Sequence, residues 1–187
     1  SRIPSVNSCK FSSSPLGAKM ITSVVCLAFP LLLLYAAWHD VSTMTIPNWV
    51  SISLAAAFLP AALAAGLTPD EIGMHLSFAA AVLLASAVLF YLGVFGGGDA
   101  KVIAGASLWI GFSASGYFVM GMAIAGGLLA AVLIVARRMK LSPTKGWAIR
   151  LLSPEEGAPY AVAIAAGALL AAPGSPVLAA GLAGIGV

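Results

Sequence analysis

Six carboxylates are all the acid in this chain: Asp40, Asp70, Glu71, Asp99, Glu155 and Glu156. Two of them sit at the edges of long apolar segments. Asp40 closes one, and Asp99 opens another directly after Gly96-Gly97-Gly98. Two carboxylates brought together cannot both ionise, so they hold one proton between them. Such a pair supplies a base to activate water and an acid to protonate a leaving group. The plainer reading makes Asp40 a helix terminator and Asp99 the partner of Lys101. Asp70 and Glu71 follow Thr68-Pro69 and read as a solvated turn. Glu155 and Glu156 read as an anionic start to the last helix, favourable to its dipole. His39 adjoins Asp40, but neighbouring helical residues point to different faces, and it reads as an interfacial histidine. Lys101 has three readings: tuning the aspartates, anchoring a substrate or lipid group, or snorkelling to the membrane surface. Cys9 and Cys26 form no C-x-x-C pair and join no His/Cys cluster, so neither a structural zinc site nor a redox motif is visible.

The elements that must position these groups are membrane helices. The chain of 187 residues is 61% hydrophobic and only 8% charged. A soluble domain is about one quarter charged, so this chain lacks the polar groups to cover its own surface. A mean hydropathy of +1.05 points to the bilayer as its solvent. The pI near 9.1 does not imply nucleic acid, because no soluble domain is present to carry a basic face and Lys/Arg in such a chain set topology. Residues 1–19 are polar and Ser-rich, and are expected to be a disordered extension or an expression-derived remnant. Residues 20–187 are expected to form one membrane-embedded domain.

A span needs about 20 apolar residues. Met20–Trp38, Trp49–Leu67 and Gly73–Phe95 qualify, and Gly96-Gly97-Gly98 is expected to break the third. The segment Ala100–Ala136 has Lys101 as its only charge. As one helix it would reach about 55 Å, against a hydrocarbon core of ~30 Å, so two spans with a turn at Gly111–Gly116 are expected. A sixth begins at Ala158, and Pro173 ends or kinks it. The fold class is therefore an all-α polytopic bundle of about six transmembrane helices. Two spans separate Asp40 from Asp99, which brings both to the same membrane face. That face also holds Lys101, Arg137, Arg138, Lys140, Lys145 and Arg150, whereas Arg2, Lys10 and Lys19 lie on the other, so the first is expected to be cytoplasmic. Trp38, Trp49 and Trp147 fall at its edge, as interfacial anchors do.

Three motifs add to this. Gly96-Gly97-Gly98-Asp99 contains G-x-G-D, the signature of intramembrane aspartic peptidases. Asp40 followed by Ile46-Pro47-Asn48 resembles the Asp and Ile/Leu-Pro-Asn/Asp turn of type IV prepilin peptidases. Pro159-Tyr160 resembles the Pro-Tyr segment that opens their last span. In this order the three resemble the short prepilin peptidases of Flp/Tad-type pilus systems, over about residues 20–170. The resemblance implies an endopeptidase of the inner (cytoplasmic) membrane. It would remove the basic leader from pilin or pseudopilin precursors at the cytoplasmic face, just before their hydrophobic helix. Asp40 and Asp99 would be catalytic. Gly96, Gly97, Gly98, Lys101, Pro47 and Asn48 would form the substrate-binding loops, with the glycines admitting a substrate backbone and adopting unusual dihedrals. No metal, organic cofactor or nucleic acid is implied, and the partners are the precursor and the lipid bilayer. Gly121 and Ala125 are small enough to pack helices within one chain or between copies in a homo-oligomer. Longer relatives carry a further cytoplasmic segment with C-x-x-C motifs and methylate the new N-terminus, so cleavage without methylation is expected here. Two rivals stand beside this reading: a transporter or proton-relay subunit using the aspartates, and a non-catalytic membrane subunit of a pilus or secretion apparatus.

Overall fold

Lipid tails are as apolar as leucine, so burial of apolar side chains does little to hold membrane helices together; close packing and satisfied polar groups must do so. The computed structural model describes residues 22–94, 96–139, 146–153 and 157–184. The tail 1–19, Lys140, Lys145, Glu155 and Glu156 lie outside the described residues. All the regular structure described is helical: α1 (Ala28–Thr43), α2 (Asn48–Ala64), α3 (Pro69–Tyr91), α4 (Gly97–Ile110), α5 (Ser115–Arg138), α6 (Gly146–Leu152), α7 (Tyr160–Ala171) and α8 (Pro176–Gly184), with a 3₁₀ turn at Ala172–Gly174.

Among the described residues, three helices are long and apolar enough to cross a bilayer: Thr22–Thr43, which contains α1, Pro69–Tyr91 and Ser115–Arg138. Tyr160–Gly174 and Pro176–Ala183, bent by 74°, make a fourth if taken as one broken span. The expected number was six. The difference lies in α2 and α4, whose 17 and 14 residues reach only about 26 and 21 Å. α4 lies at the centre of the bundle, with every residue from Val102 to Ile110 buried. α2, α3, α7 and α8 all pack on it.

Polar groups inside the bundle find partners, as a lipid environment requires. The fully buried Trp109 donates its indole N–H to the Leu54 carbonyl at 2.8 Å. Ser175 Oγ donates to the Trp109 carbonyl at 2.6 Å and accepts from the Leu178 N–H, which docks the start of α8 on α4. Buried His75 stacks on Phe58 and places Nδ1 2.8 Å from the Leu108 carbonyl. A close crossing joins α5 and α7, where a methyl on Gly121 would lie 2.9 Å from the Gly167 Cα. Gly121 thus packs within the chain.

Two local expectations change. Thr68-Pro69-Asp70-Glu71 is the first turn of α3 and not a loop: Thr68 Oγ1 accepts from the Glu71 N–H, and the Thr68 N–H donates to Glu71 Oε2 at 2.7 Å. This reciprocal capping follows from the T-x-x-E spacing. The helix break before Asp99 also moves. α3 stops at Tyr91, Gly93 takes a positive φ of 75°, and Gly97 and Gly98 already belong to α4.

Candidate active site

The backbone after α1 is folded by its own polar side chains. Met44 adopts the left-handed conformation with φ of 54°, and its N–H donates to the Asp40 carbonyl at 2.7 Å. Thr43 Oγ1 donates to the His39 carbonyl at 2.8 Å and lies 2.9 Å from both His39 Nδ1 and Thr45 Oγ1. His39 Nδ1 also lies 2.7 Å from the Thr45 carbonyl. Pro47, with φ of −65°, then caps the start of α2. Ordinary caps and one proline therefore hold residues 43–47 in a tight reversal beside Asp40.

Asp40 is buried at 6% exposure, and its Oδ2 accepts the Ala161 N–H at 3.1 Å. Ala161 is the second residue of α7, whose first N–H groups have no partner within their own helix. The carboxylate thus caps a helix 121 residues away in sequence. Pro159 at the cap position sets this up. The role expected of Glu155 and Glu156, an anion at the start of the last helix, is filled for the described helix by Asp40.

Asp99 is half-buried in the first turn of α4, where its carboxylate lies against the Gly96 backbone. Asp40 and Asp99 line one cavity of about 310 Å³, together with Met44, Thr45, Ile46, Gly96, Gly97 and Gly98. The two carboxylates are close enough to interact electrostatically. Both stand at helix N-termini, where backbone N–H groups and the dipole favour negative charge.

The three glycines serve by being small. Gly96 has φ of −71° and ψ of 148°, open to any residue, and the positive-φ glycines among the described residues are Gly66, Gly93 and Gly111. A methyl on Gly96 would stand 2.9 Å from Asp99 Oδ2, and one on Gly98 3.1 Å from Ile46 Cβ. A methyl on Gly97 would meet the Phe90 ring at 3.4 Å. The expected unusual dihedrals are absent at these positions, and close approach is what the glycines permit.

Lys101 does not pair with Asp99. Its Nζ donates to Asn48 Oδ1 at 2.8 Å, and both residues line a neighbouring groove rather than the dyad cavity. Pro47 lies outside both linings and acts through the turn. Trp38, Trp49 and Trp147 are all exposed, as interfacial anchors would be. Arg137, read as a topology signal, donates from Nη2 to the carbonyls of Leu151 at 3.1 Å and Gly157 at 3.0 Å, tying the end of α5 to the segments before α7. The Ala161 N–H and the His39–Thr43–Thr45 knot went unseen in the sequence. An unpartnered helix start after Pro159 was the available signal for the first.

This architecture defines a class: a helical membrane protein that brings two carboxylates into one cleft at the end of its bundle. Residues 27–134 match the type IV leader peptidase family, and the chain belongs to it. The chain is accordingly a membrane peptidase, and the matched stretch contains both Asp40 and Asp99. Comparison with curated proteins and with solved structures finds no match.

Proposed function

We propose that this peptidase is of the aspartic type, with Asp40 and Asp99 as its catalytic pair. Its substrates are type IV or Flp-type pilin precursors, cut after their basic leader at the cytoplasmic face of the inner membrane. The observation that carries this reading is the shared cavity: two carboxylates from segments 59 positions apart meet beside three glycines in a leader peptidase.

The chemistry follows from one proton on two carboxyl groups. The ionised carboxylate takes a proton from water as the water oxygen bonds to the scissile carbonyl carbon. The protonated partner gives its proton to the carbonyl oxygen, which yields a gem-diol. On collapse the C–N bond breaks, the amine leaves with a proton from the dyad, and the diol returns one, so the pair again holds a single proton. The Ala161 N–H holds the Asp40 carboxylate in place for these transfers, and the Asp99 carboxylate is packed against Gly96. Gly96, Gly97 and Gly98 leave room for an extended substrate backbone, Pro47 holds the wall opposite, and Asn48 with Lys101 borders the substrate's path. The dyad needs no metal or organic cofactor.

Purified protein in liposomes with a pilin precursor tests the pair. Asp40→Asn and Asp99→Asn should each abolish cleavage while insertion into the bilayer is unchanged; substantial turnover by either would refute the assignment. Coupled carboxyl groups titrate with two macroscopic pKa values, so the wild-type rate should fall at both acidic and alkaline pH. A chelator should leave the rate unchanged. Loss on chelation, restored by a divalent cation, would indicate a metallopeptidase.

A further inference from the structure

Beside the dyad cavity lies a larger groove of about 530 Å³. α2 and α3 both pack on α4 but hardly on each other, and the space between them is the groove. One wall is Asn48, Ser51, Ile52 and Ala55 of α2. The other is Leu76, Ala79, Ala80 and Leu83 of α3. The floor is Lys101, Ala104, Gly105 and Leu108 of α4. Each set repeats at i, i+3, i+4 and i+7, the spacing of a single helix face. Three helix faces converge on a space that no described helix fills. The slot is about two helical turns long, and small residues at its centre let a fourth backbone come close.

Its position selects the occupant. The Lys101–Asn48 hydrogen bond crosses one end of the slot between floor and wall. Lys101 is two residues beyond Asp99, and Asn48 two beyond Ile46, both of which line the dyad cavity. The far end is at Leu108, beside His75. A helix lying in the slot therefore points one end at the two carboxylates. The polar bridge stops it from continuing as a helix along the same line. The walls carry no charge, and Ile52, Leu76 and Leu83 are exposed at 66%, 52% and 45%, which suits an apolar membrane helix. We infer that this slot docks the apolar helix of the precursor, so that the residues leading into it leave the helix at the Lys101–Asn48 bridge and pass extended across Asp40 and Asp99. The inference rests on the leader-peptidase reading above and adds the surface that selects the substrate.

A photo-crosslinking amino acid, p-benzoylphenylalanine, tests this when placed singly at Ile52, at Leu83 or at the exposed α5 residue Leu128, in protein reconstituted in liposomes with a pilin precursor. Ile52 and Leu83 should yield adducts within the precursor's apolar helix, and Leu128 should not. The adducts should persist in the Asp99→Asn background. Adducts only with lipid, or only with a second copy of the chain, would overturn the proposal. In a second measurement, Ala80→Leu narrows the slot at an exposed position and should raise KM for the precursor about tenfold while kcat at saturation holds. An unchanged KM would also overturn it. The two readings fail separately: cleavage by Asp99→Asn defeats the dyad and leaves the adducts standing, whereas an inactive Asp99→Asn without adducts defeats the slot alone.

Discussion

At the scale of the residue, Gly96 and Asp99 are in close contact. Gly96 lies against the Asp99 carboxylate and leaves no room for a methyl, which would sit 2.9 Å from Oδ2. Its φ of −71° is open to alanine, so Gly96→Ala carries no backbone penalty and acts through that methyl alone. The carboxylate must give way by about 0.5 Å to regain ordinary contact, roughly half the 1 Å misplacement that costs about a hundredfold at a reacting group. If Asp99 is catalytic as proposed, Gly96→Ala should therefore lower kcat by about tenfold with the protein still folded, measured by cleavage in liposomes. Gly127→Ala is the control, because a methyl there meets nothing within 4 Å. Equal activity in both variants would mean that Asp99 has freedom the geometry denies it. The G-x-G-D pattern made Asp99 and its glycines legible in the sequence. It did not distinguish glycine as a source of unusual dihedrals from glycine as space, because only the neighbouring side chain decides between them.

At the scale of the element, α7 is where structure and chemistry meet. Its N-terminus holds Asp40 through the Ala161 N–H, and its middle is pressed against α5 at Gly167. A methyl on Gly167 would lie 2.6 Å from the Met122 nitrogen and 2.7 Å from the Phe118 carbonyl, both backbone atoms that cannot rotate aside. Gly167→Ala must push the helices apart and should destabilise the protein by about 1–3 kcal/mol, seen in thermal or denaturant unfolding in detergent. It should also slow cleavage, since α7 carries the group that orients Asp40. Gly126→Ala faces the Ala163 Cβ at an ordinary 3.5 Å and should be tolerated. Similar stability in the two would contradict the close α5–α7 crossing. Element types were legible, because long apolar runs with turn signals specify membrane helices directly. Boundaries were not. Thr68-Pro69-Asp70-Glu71 looked like a polar loop because its charges outweighed the T-x-x-E spacing, and the glycines at 96–98 looked like a helix stop although two of them open α4. Propensity counts each residue alone, whereas a helix start depends on which N–H groups find acceptors.

At the scale of the whole molecule, parity was the strongest inference available from sequence. Counting spans between Asp40 and Asp99 put both on one face, and they line one cavity. The count of six spans was less secure, since α2 and α4, at 17 and 14 residues, are shorter than the apolar runs that contain them. A central buried helix and a lipid-facing one are equally apolar, and only packing separates them. The end of the bundle that holds the dyad also carries Lys101, and Arg137 is tied there to the segments before α7. If Lys/Arg mark the cytoplasmic side, Ser42 and Met139 belong there, and Asp70 and Ser113 belong on the opposite face. With Cys9 and Cys26 replaced, a single cysteine at Ser42 or Met139 should resist an impermeant thiol reagent in intact cells and react once the cells are opened. A cysteine at Asp70 or Ser113 should react from outside. The reverse pattern would place the dyad on the outer face, where a basic leader retained on the cytoplasmic side could not reach it. The proposed site of cleavage would then be wrong even if Asp40 and Asp99 remain the catalytic pair.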